Sequence, residues 1–160
     1  MMDYYPKSLR QLIIEGGTRS VTNFTRLANQ MINGFAVMQN NNIHHGDIKP
    51  DNIMIDNQGN IRIIDFGYSV IRVEPSFSAS SSGSIKEGLN VTGTKGYVAP
   101  ELSNLQGDGK SLPKYRRGKA DVFSLGITFI KMLKGENWEY SKDTLINELE
   151  SLPIEFKGLI

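Results

Sequence analysis

Two short apolar runs separated by a polar turn constrain this chain more than any other stretch. Residues 53–56 (IMID) and 61–64 (IRII) have the composition of β-strands. The intervening NQGN supplies turn-forming residues and a glycine that tolerates positive φ. The sequence therefore predicts a β-hairpin with its midpoint between Gln58 and Gly59. Asn52 and Asp65 are equally distant from that midpoint, so we expect them to face each other at the open end.

The residues at the open end of this hairpin are of the types needed for a general base next to a metal ion. Directly opposed residues have Cβ atoms about 5 Å apart. Amide and carboxylate oxygens suit Mg²⁺, which takes oxygen ligands at about 2.1 Å and keeps waters for substrate phosphates. Asp47 and Lys49 lie in the loop that leads into the first strand. We therefore expect a base, a cation and two metal ligands, Asn52 and Asp65, at one edge.

Several motifs, in the order of the chain, resemble those of eukaryotic protein kinases. HGDIKPDN at residues 45–52 resembles the catalytic loop, DFG at 65–67 the metal-binding motif, and APE at 99–101 the end of the activation segment. GTKGY at 93–97 resembles the family's GTxxY segment, and DVFSLG at 121–126 the start of its buried central helix. The resemblance implies an α+β, mainly helical fold: the large, C-terminal lobe of a protein kinase with its catalytic-loop hairpin, and no N-terminal lobe.

The resemblance also implies a reaction, the transfer of the γ-phosphoryl group of ATP to hydroxyl groups of a protein substrate. Asp47 would be the base, and Lys49 would neutralise charge on the γ-phosphoryl oxygens. Thr94 would brace both residues, and Asn52 and Asp65 would hold Mg²⁺ between the nucleotide phosphates. A lysine at position 49 resembles the serine/threonine branch of the family.

The adenine-binding residues follow from the same resemblance. Residues 1–15 would be the hinge between the two kinase lobes and a short helix. Met2 would guard the back of the adenine pocket, the backbone near Asp3 to Tyr5 would hydrogen-bond adenine, and Met54 would form the floor. The alternative is that this stretch is the frayed start of a small helical domain.

The resemblance covers only part of the family fold. The sequence has no Gly-rich phosphate loop, no strand lysine for the α- and β-phosphates and no helix glutamate to pair with it. We therefore expect residues 1–160 to be a partial kinase domain, hinge and C-terminal lobe, truncated at both ends. Two other functions stay open: a kinase-like binding module with little activity, and a small-molecule phosphotransferase of the aminoglycoside or choline kinase type. The Lys-Pro pair and the APE segment favour the protein kinase.

Gly46 departs from the family pattern, which usually has an arginine between the histidine and the aspartate. That arginine normally pairs with a phosphate on the activation loop. We therefore predict that activity does not require a phosphate through this route. The serine-rich residues 74–90 are predicted to form an exposed insertion in the activation segment.

Hydrophobic periodicity predicts three longer helices, at residues 22–42, 119–134 and 141–150. The first has an apolar stripe that we expect to be core, consisting of Phe24, Leu27, Ala28, Met31, Phe35 and Met38. The second is apolar nearly all round, which is typical of a buried helix.

The composition of the chain indicates which classes of binding partner to expect. The 160-residue chain has a formal net charge of +1, which gives no reason to expect a nucleic-acid or anionic-membrane partner. It has no cysteine and no apolar run long enough to span a bilayer, which favours an intracellular, cytoplasmic location. Nothing in the sequence indicates an oligomeric state.

Overall fold

The computed structural model describes residues 5–71, 93–103, 117–143 and 145–152. Within these ranges, helical residues outnumber strand residues, as expected for a mainly helical α+β protein. Two single-turn 3₁₀ helices, Pro50–Asn52 and Phe66–Tyr68, flank the hairpin. In chain order the other elements are β1 (Lys7–Ser8), α1 (Leu9–Ile14), α2 (Val21–Asn40), β2 (Ile43–His44), β3 (Ile53–Ile55), β4 (Ile61–Ile63), β5 (Val70–Ile71), α3 (Pro100–Ser103), α4 (Arg117–Lys134) and α5 (Leu145–Glu150).

Helix α2 is the scaffold on which the hairpin packs. Its N-terminus is capped by Ser20, whose hydroxyl accepts a hydrogen bond from the N–H of Asn23 at 3.2 Å. The predicted stripe is confirmed, since all six of its apolar residues are buried. They share one core with the apolar residues of α1, the hairpin and α4, among them Leu9, Ile13, Ile53, Ile55, Ile61, Leu125 and Met132.

Strands β3 and β4 pair antiparallel, and the pairing differs by one residue from the predicted register. Ile53 lies opposite Ile63, and Ile55 opposite Ile61, so the hairpin is centred on Gln58. The N–H of Ile64, and not Asp65, therefore meets Asn52, donating to its carbonyl at 2.9 Å.

The turn explains this difference in register. The Asp56 carboxylate accepts the N–H groups of Gln58 at 2.9 Å and Asn60 at 2.8 Å, and Gly59 has φ +80°. The N–H of Asp56 donates to the carbonyl of Asn60 at 2.9 Å. This closes a three-residue loop that ends in a left-handed residue, whereas the predicted turn has four residues.

Two helices differ in detail from their predictions. Helix α4 is buried along most of its length, but Val122 is 64% exposed, so the helix is not buried all round. Helix α5 begins at Leu145, later than the predicted residue 141. The two-residue strands β1, β2 and β5 have no counterpart among the predicted elements. β1 pairs with β3 and β2 pairs with β5, both antiparallel, and such short segments carry no periodicity.

Candidate active site

The loop between β2 and β3 is anchored by a carboxylate from a distant helix. Asp121 of α4, which is 4% exposed, accepts the N–H of His45 at 2.9 Å and the N–H of Gly46 at 3.0 Å. Burial raises the pKa of Asp121 above its ordinary value, and the two N–H groups oppose that rise only in part. Asp121 thus satisfies amides of this loop and not of its own helix.

His45 joins the loop to the segment that follows β4. Its Nδ1 accepts the N–H of Asp47 at 3.3 Å, and its Nε2 lies 3.0 Å from the carbonyl oxygen of Ile64. Because a carbonyl can only accept, the imidazole carries its proton on Nε2 in this arrangement. The ring also lies 5.0 Å from that of Phe66, between centroids. His45 is fully buried, and through these contacts it links the loop to the residues that follow β4.

The carboxylate of Asp47 is surrounded by four hydrogen-bond donors. Its Oδ1 accepts the N–H of Thr94 at 2.9 Å and the Thr94 hydroxyl at 2.7 Å. Its Oδ2 accepts Lys49 Nζ at 2.7 Å and Asn52 Nδ2 at 3.2 Å. The fold thus brings together four of the predicted site residues, which the chain separates by up to 47 positions.

These donors decide the charge of Asp47, which is 4% exposed. Burial by itself would raise the pKa of Asp47, but the bonds from Lys49, Thr94 and Asn52 and the lysine charge outweigh it. The pKa of Asp47 is therefore held below its ordinary value. An ionised, buried carboxylate can accept a proton only from a group brought directly to it.

Lys49 is shared between two of these residues. In addition to Asp47, its ammonium donates to Thr94 Oγ1 at 2.7 Å. Thr94 thus accepts from the lysine and donates to the aspartate. The lysine side chain is 20% exposed, so its charge can still meet a ligand from solvent.

Asn52 and Asp65 have the donor chemistry that Mg²⁺ requires. Asn52 Nδ2 donates to the carbonyl of Asp47 at 2.8 Å, which leaves Oδ1 as the atom able to ligate. Asp65 directly follows Ile64, the residue bonded to Asn52. Both are hard oxygen donors. No group of three or more His, Cys, Asp or Glu side chains suited to a metal occurs in the described ranges, so phosphate and water would complete the coordination.

Asp65 itself is held by local contacts. Its backbone is left-handed, with φ 61° and ψ 70°, and its Oδ1 accepts the N–H of Gly67 at 3.3 Å. The residue is exposed, as are Phe66, Gly67 and Tyr68 after it. Aspartate tolerates this backbone region better than most residues do.

The predicted adenine-binding residues are only partly described. Met2 and Asp3 lie outside the described residues. Met54 is half-buried, on the face of β3 opposite to the buried Ile53 and Ile55, and pairs with Ser8 of β1. Tyr5 is also half-buried and lies two residues before β1. Because Ser8 of β1 pairs with Met54, the chain reaches Met54 three residues after Tyr5.

Arg10 forms two ion pairs that tie α1 to this region and that no sequence pattern predicts. Arg10 Nη1 lies 3.0 Å from Asp51 Oδ1, and Arg10 Nε lies 3.2 Å from Glu136 Oε1. Arg10 and Asp51 side chains are 48% and 40% exposed, so the pair contributes little stability. Helix α1 is the short helix predicted within residues 1–15, and the SLRQ sequence marks its start, since Ser8 and Gln11 form a reciprocal capping box.

With this geometry in place, comparison with known proteins defines the class of the chain. The family described as "Protein kinase domain" matches residues 1–155. The chain therefore belongs to the protein kinase family.

Individual relatives agree with this assignment. The chain is 31% identical over 136 residues to the serine/threonine-protein kinase shk2 of Schizosaccharomyces pombe, a match covering 85% of the chain and 20% of that protein. It is 34% identical over 143 residues to the human eIF-2-alpha kinase GCN2, covering 82% and 8%. It is 32% identical over 128 residues to the serine/threonine-protein kinase PrkC of Bacillus subtilis, covering 80% and 17%. The matched region is a fifth or less of each of these relatives.

A membrane-spanning helix is not found in the described part of the chain, where each helix is too short or too polar.

Proposed function

We propose that the chain carries the catalytic centre of an ATP-dependent protein serine/threonine kinase. The observation that carries this proposal is the buried Asp47 carboxylate, held ionised by Lys49, Thr94 and Asn52. The names of the relatives above support the serine/threonine class, and they favour a protein kinase over a small-molecule phosphotransferase.

In the proposed reaction, Asp47 accepts the proton of a serine or threonine hydroxyl while that oxygen bonds to the γ-phosphorus and ADP leaves. A carboxylate offers about four lone-pair sites, and four donors already use them. A substrate hydroxyl must therefore replace or share one donor. Lys49 is the best candidate to give way, because its ammonium is flexible and would be attracted to the phosphoryl oxygens.

Asn52 and Asp65 would hold Mg²⁺, which, when bound, would neutralise phosphate charge and orient the γ-phosphoryl group. The chain itself fixes the amide of Asn52 through Asp47 and places Asp65 immediately after the residue paired with Asn52. Met54, with Met2, Asp3 and Tyr5, is the proposed adenine contact.

We place residues 1–160 in the hinge and large lobe of a kinase domain. Protein is the proposed substrate class and the cytoplasm the proposed location, with no nucleic-acid or membrane partner. The absence of the phosphate-loop and strand-lysine motifs from this sequence supports weak or no activity for the chain alone.

The test is phosphotransfer from γ-labelled ATP with Mg²⁺ to casein by the purified chain. Where the unaltered chain transfers phosphate above background, we expect Asp47→Asn to lower the rate about 100-fold or more, since positioned general bases contribute about 10² to 10⁴. Asp65→Ala should lower it through loss of the metal ligand. Asp143→Asn, at an exposed residue, is the matched control and should leave the rate unchanged.

The same assay decides between this proposal and a binding module. If the unaltered chain and its Asp65→Ala variant show equal, background-level rates, the chain is not a working kinase by itself. Thermal unfolding with and without Mg²⁺-ATP then separates two cases. If Mg²⁺-ATP raises the Tm of the unaltered chain but not that of Asp65→Ala, the chain is a nucleotide-binding module. If Mg²⁺-ATP does not raise the Tm of the unaltered chain, the proposal of nucleotide binding is wrong as well.

A further inference from the structure

The backbone crosses itself beside Asp47 at two glycines. Gly46 has φ +79°, and a Cβ added there would lie 2.9 Å from the carbonyl oxygen of Tyr68. Gly93 has φ +129°, and its added Cβ would lie 3.3 Å from the carbonyl oxygen of Gly46 and 2.9 Å from Cγ2 of Val98. Three chain segments, at residues 46, 68 and 93, therefore pass one another with no side chain between them.

This crossing lies next to the contacts that orient the carboxylate. Gly46 is fixed through its N–H to Asp121 and directly precedes Asp47. Gly93 directly precedes Thr94, whose N–H and hydroxyl both donate to Asp47 Oδ1. A Cβ at Gly93 would press on the Gly46 carbonyl and on Val98, and a Cβ at Gly46 would push residue 46 away from Tyr68. Either change would shift a residue next to the Thr94–Asp47 contact, and a few tenths of an ångström separate a strong hydrogen bond from a weak one.

Positive φ alone does not distinguish these glycines from others in the chain. Gly96 has φ +89° and Gly16 has φ +74°, yet an added Cβ at either would have no heavy atom within 4 Å. Gly46 and Gly93 differ by their close contact with neighbouring backbone and side-chain atoms.

We propose that Gly46 and Gly93 are positioning residues that hold Thr94 against the Asp47 carboxylate by allowing their backbones to pass in contact. The inference rests on the proposed function in taking Asp47 as the base, but its geometric content does not. It also gives a structural reason for the missing side chain at position 46, because any side chain there meets the Tyr68 carbonyl.

The test compares matched alanine variants of the full chain. Gly93→Ala is paired with Gly96→Ala, and Gly46→Ala with Gly16→Ala, so that each pair shares a positive φ and differs in contact. The readout is hydrogen–deuterium exchange of the Thr94 amide by NMR, with thermal unfolding to confirm that each variant folds. We expect exchange to rise about tenfold or more in Gly93→Ala and Gly46→Ala. In Gly96→Ala and Gly16→Ala it should change less than about threefold.

Kinetics supply a second readout where phosphotransfer is measurable. A positioning role predicts a lower kcat with an unchanged KM for ATP in Gly46→Ala and Gly93→Ala, and no such split in the controls. If the unaltered chain transfers no phosphate but Thr94 still exchanges faster in Gly46→Ala and Gly93→Ala, the exchange result supports the inference. The missing phosphotransfer then counts only against the proposed function. Equal exchange within each pair, or unchanged exchange in both contact variants, overturns the inference. If Gly46→Ala does not fold, Gly46→Asn replaces it, because asparagine tolerates positive φ but still adds the Cβ.

Discussion

Asp47 and Asp65 are the two carboxylates of the candidate site, and the chain holds them in different ways. Asp47 is 4% exposed and receives donors from residues up to 47 positions away, while its loop is bonded to Asp121 on another helix. Asp65 is exposed, and its described hydrogen bond comes from Gly67, two residues on. The proposed base is therefore oriented before any ligand arrives. The proposed metal ligand is left accessible. A cation and its phosphates must be able to reach Asp65 from solvent to complete the metal site.

The strongest test of this comparison removes the remote anchor of Asp47. Asp121→Ala leaves the N–H groups of His45 and Gly46 without their acceptor, at a cost of about 1–3 kcal/mol for the buried His45 and less for the half-buried Gly46. We expect the free energy of unfolding to fall by about 2 kcal/mol or more, measured by urea denaturation. Asp143→Ala, at an exposed residue, is the control and should change it by less than about 0.5 kcal/mol. A similar small loss in both variants would show that the loop does not depend on Asp121.

A smaller effect is expected from the brace on Asp47. Thr94→Val removes the hydroxyl that links Lys49 to Asp47, so the free energy of unfolding should fall by about 1–2 kcal/mol at pH 7. The pKa of Asp47 is depressed in the folded state, so its ionisation stabilises the protein above the unfolded-state pKa. That contribution disappears as pH falls through the folded-state value. The deficit of the variant should therefore shrink as the pH is lowered from 7.

Denaturation at a series of pH values measures this change. Thr22→Val is the matched control, since it makes the same threonine-to-valine change at an exposed residue of α2. Threonine and valine are both β-branched. It should show no pH-dependent deficit. A Thr94→Val deficit that stays constant or grows on acidification would contradict the assigned contact with an ionised Asp47.

The smallest effect is expected at Asp65. Its φ of 61° costs most residues about 1–2 kcal/mol, but asparagine tolerates this region. Asp65→Ala should therefore lower the free energy of unfolding by about 1 kcal/mol, and Asp65→Asn by less than about 0.5 kcal/mol. Both variants should lose any stabilisation by Mg²⁺-ATP, measured as a shift in Tm. If Asp65→Asn destabilises the chain as much as Asp121→Ala, Asp65 has structural contacts that the comparison does not include.

Much of the local structure was predictable because it depends on neighbours in sequence. The stripe of α2 repeats at helical spacing, and all six of its residues are buried. Both strands of the hairpin also follow from composition. Its register did not, because the side chain of Asp56 and the left-handed Gly59 select a three-residue loop. That choice moves Asp65 out of direct opposition to Asn52.

The candidate site was predictable in its residues but not in its arrangement. The motifs name Asp47, Lys49, Asn52, Asp65 and Thr94, and the first three lie within six residues of one another. Their roles came from resemblance to a family, and those roles stay predictions. Local patterns left two roles open for Asp121: satisfying N–H groups at the start of its own helix or, as the family resemblance implies, anchoring the catalytic loop. They could not choose between the two, because the amides that it binds lie 75 and 76 positions away in the chain.

The sequence alone determined the helices, the hairpin strands and the types of residue at the site, because periodicity and turn chemistry act over a few residues. Only the tertiary structure decided which groups meet. Asp121 bonds to His45 across 76 positions, Thr94 to Asp47 across 47, and Gly93 passes Gly46 in backbone contact. These contacts depend on how the elements pack, and burial makes them strong, since a desolvated carboxylate is stable in its charged form only where donors surround it.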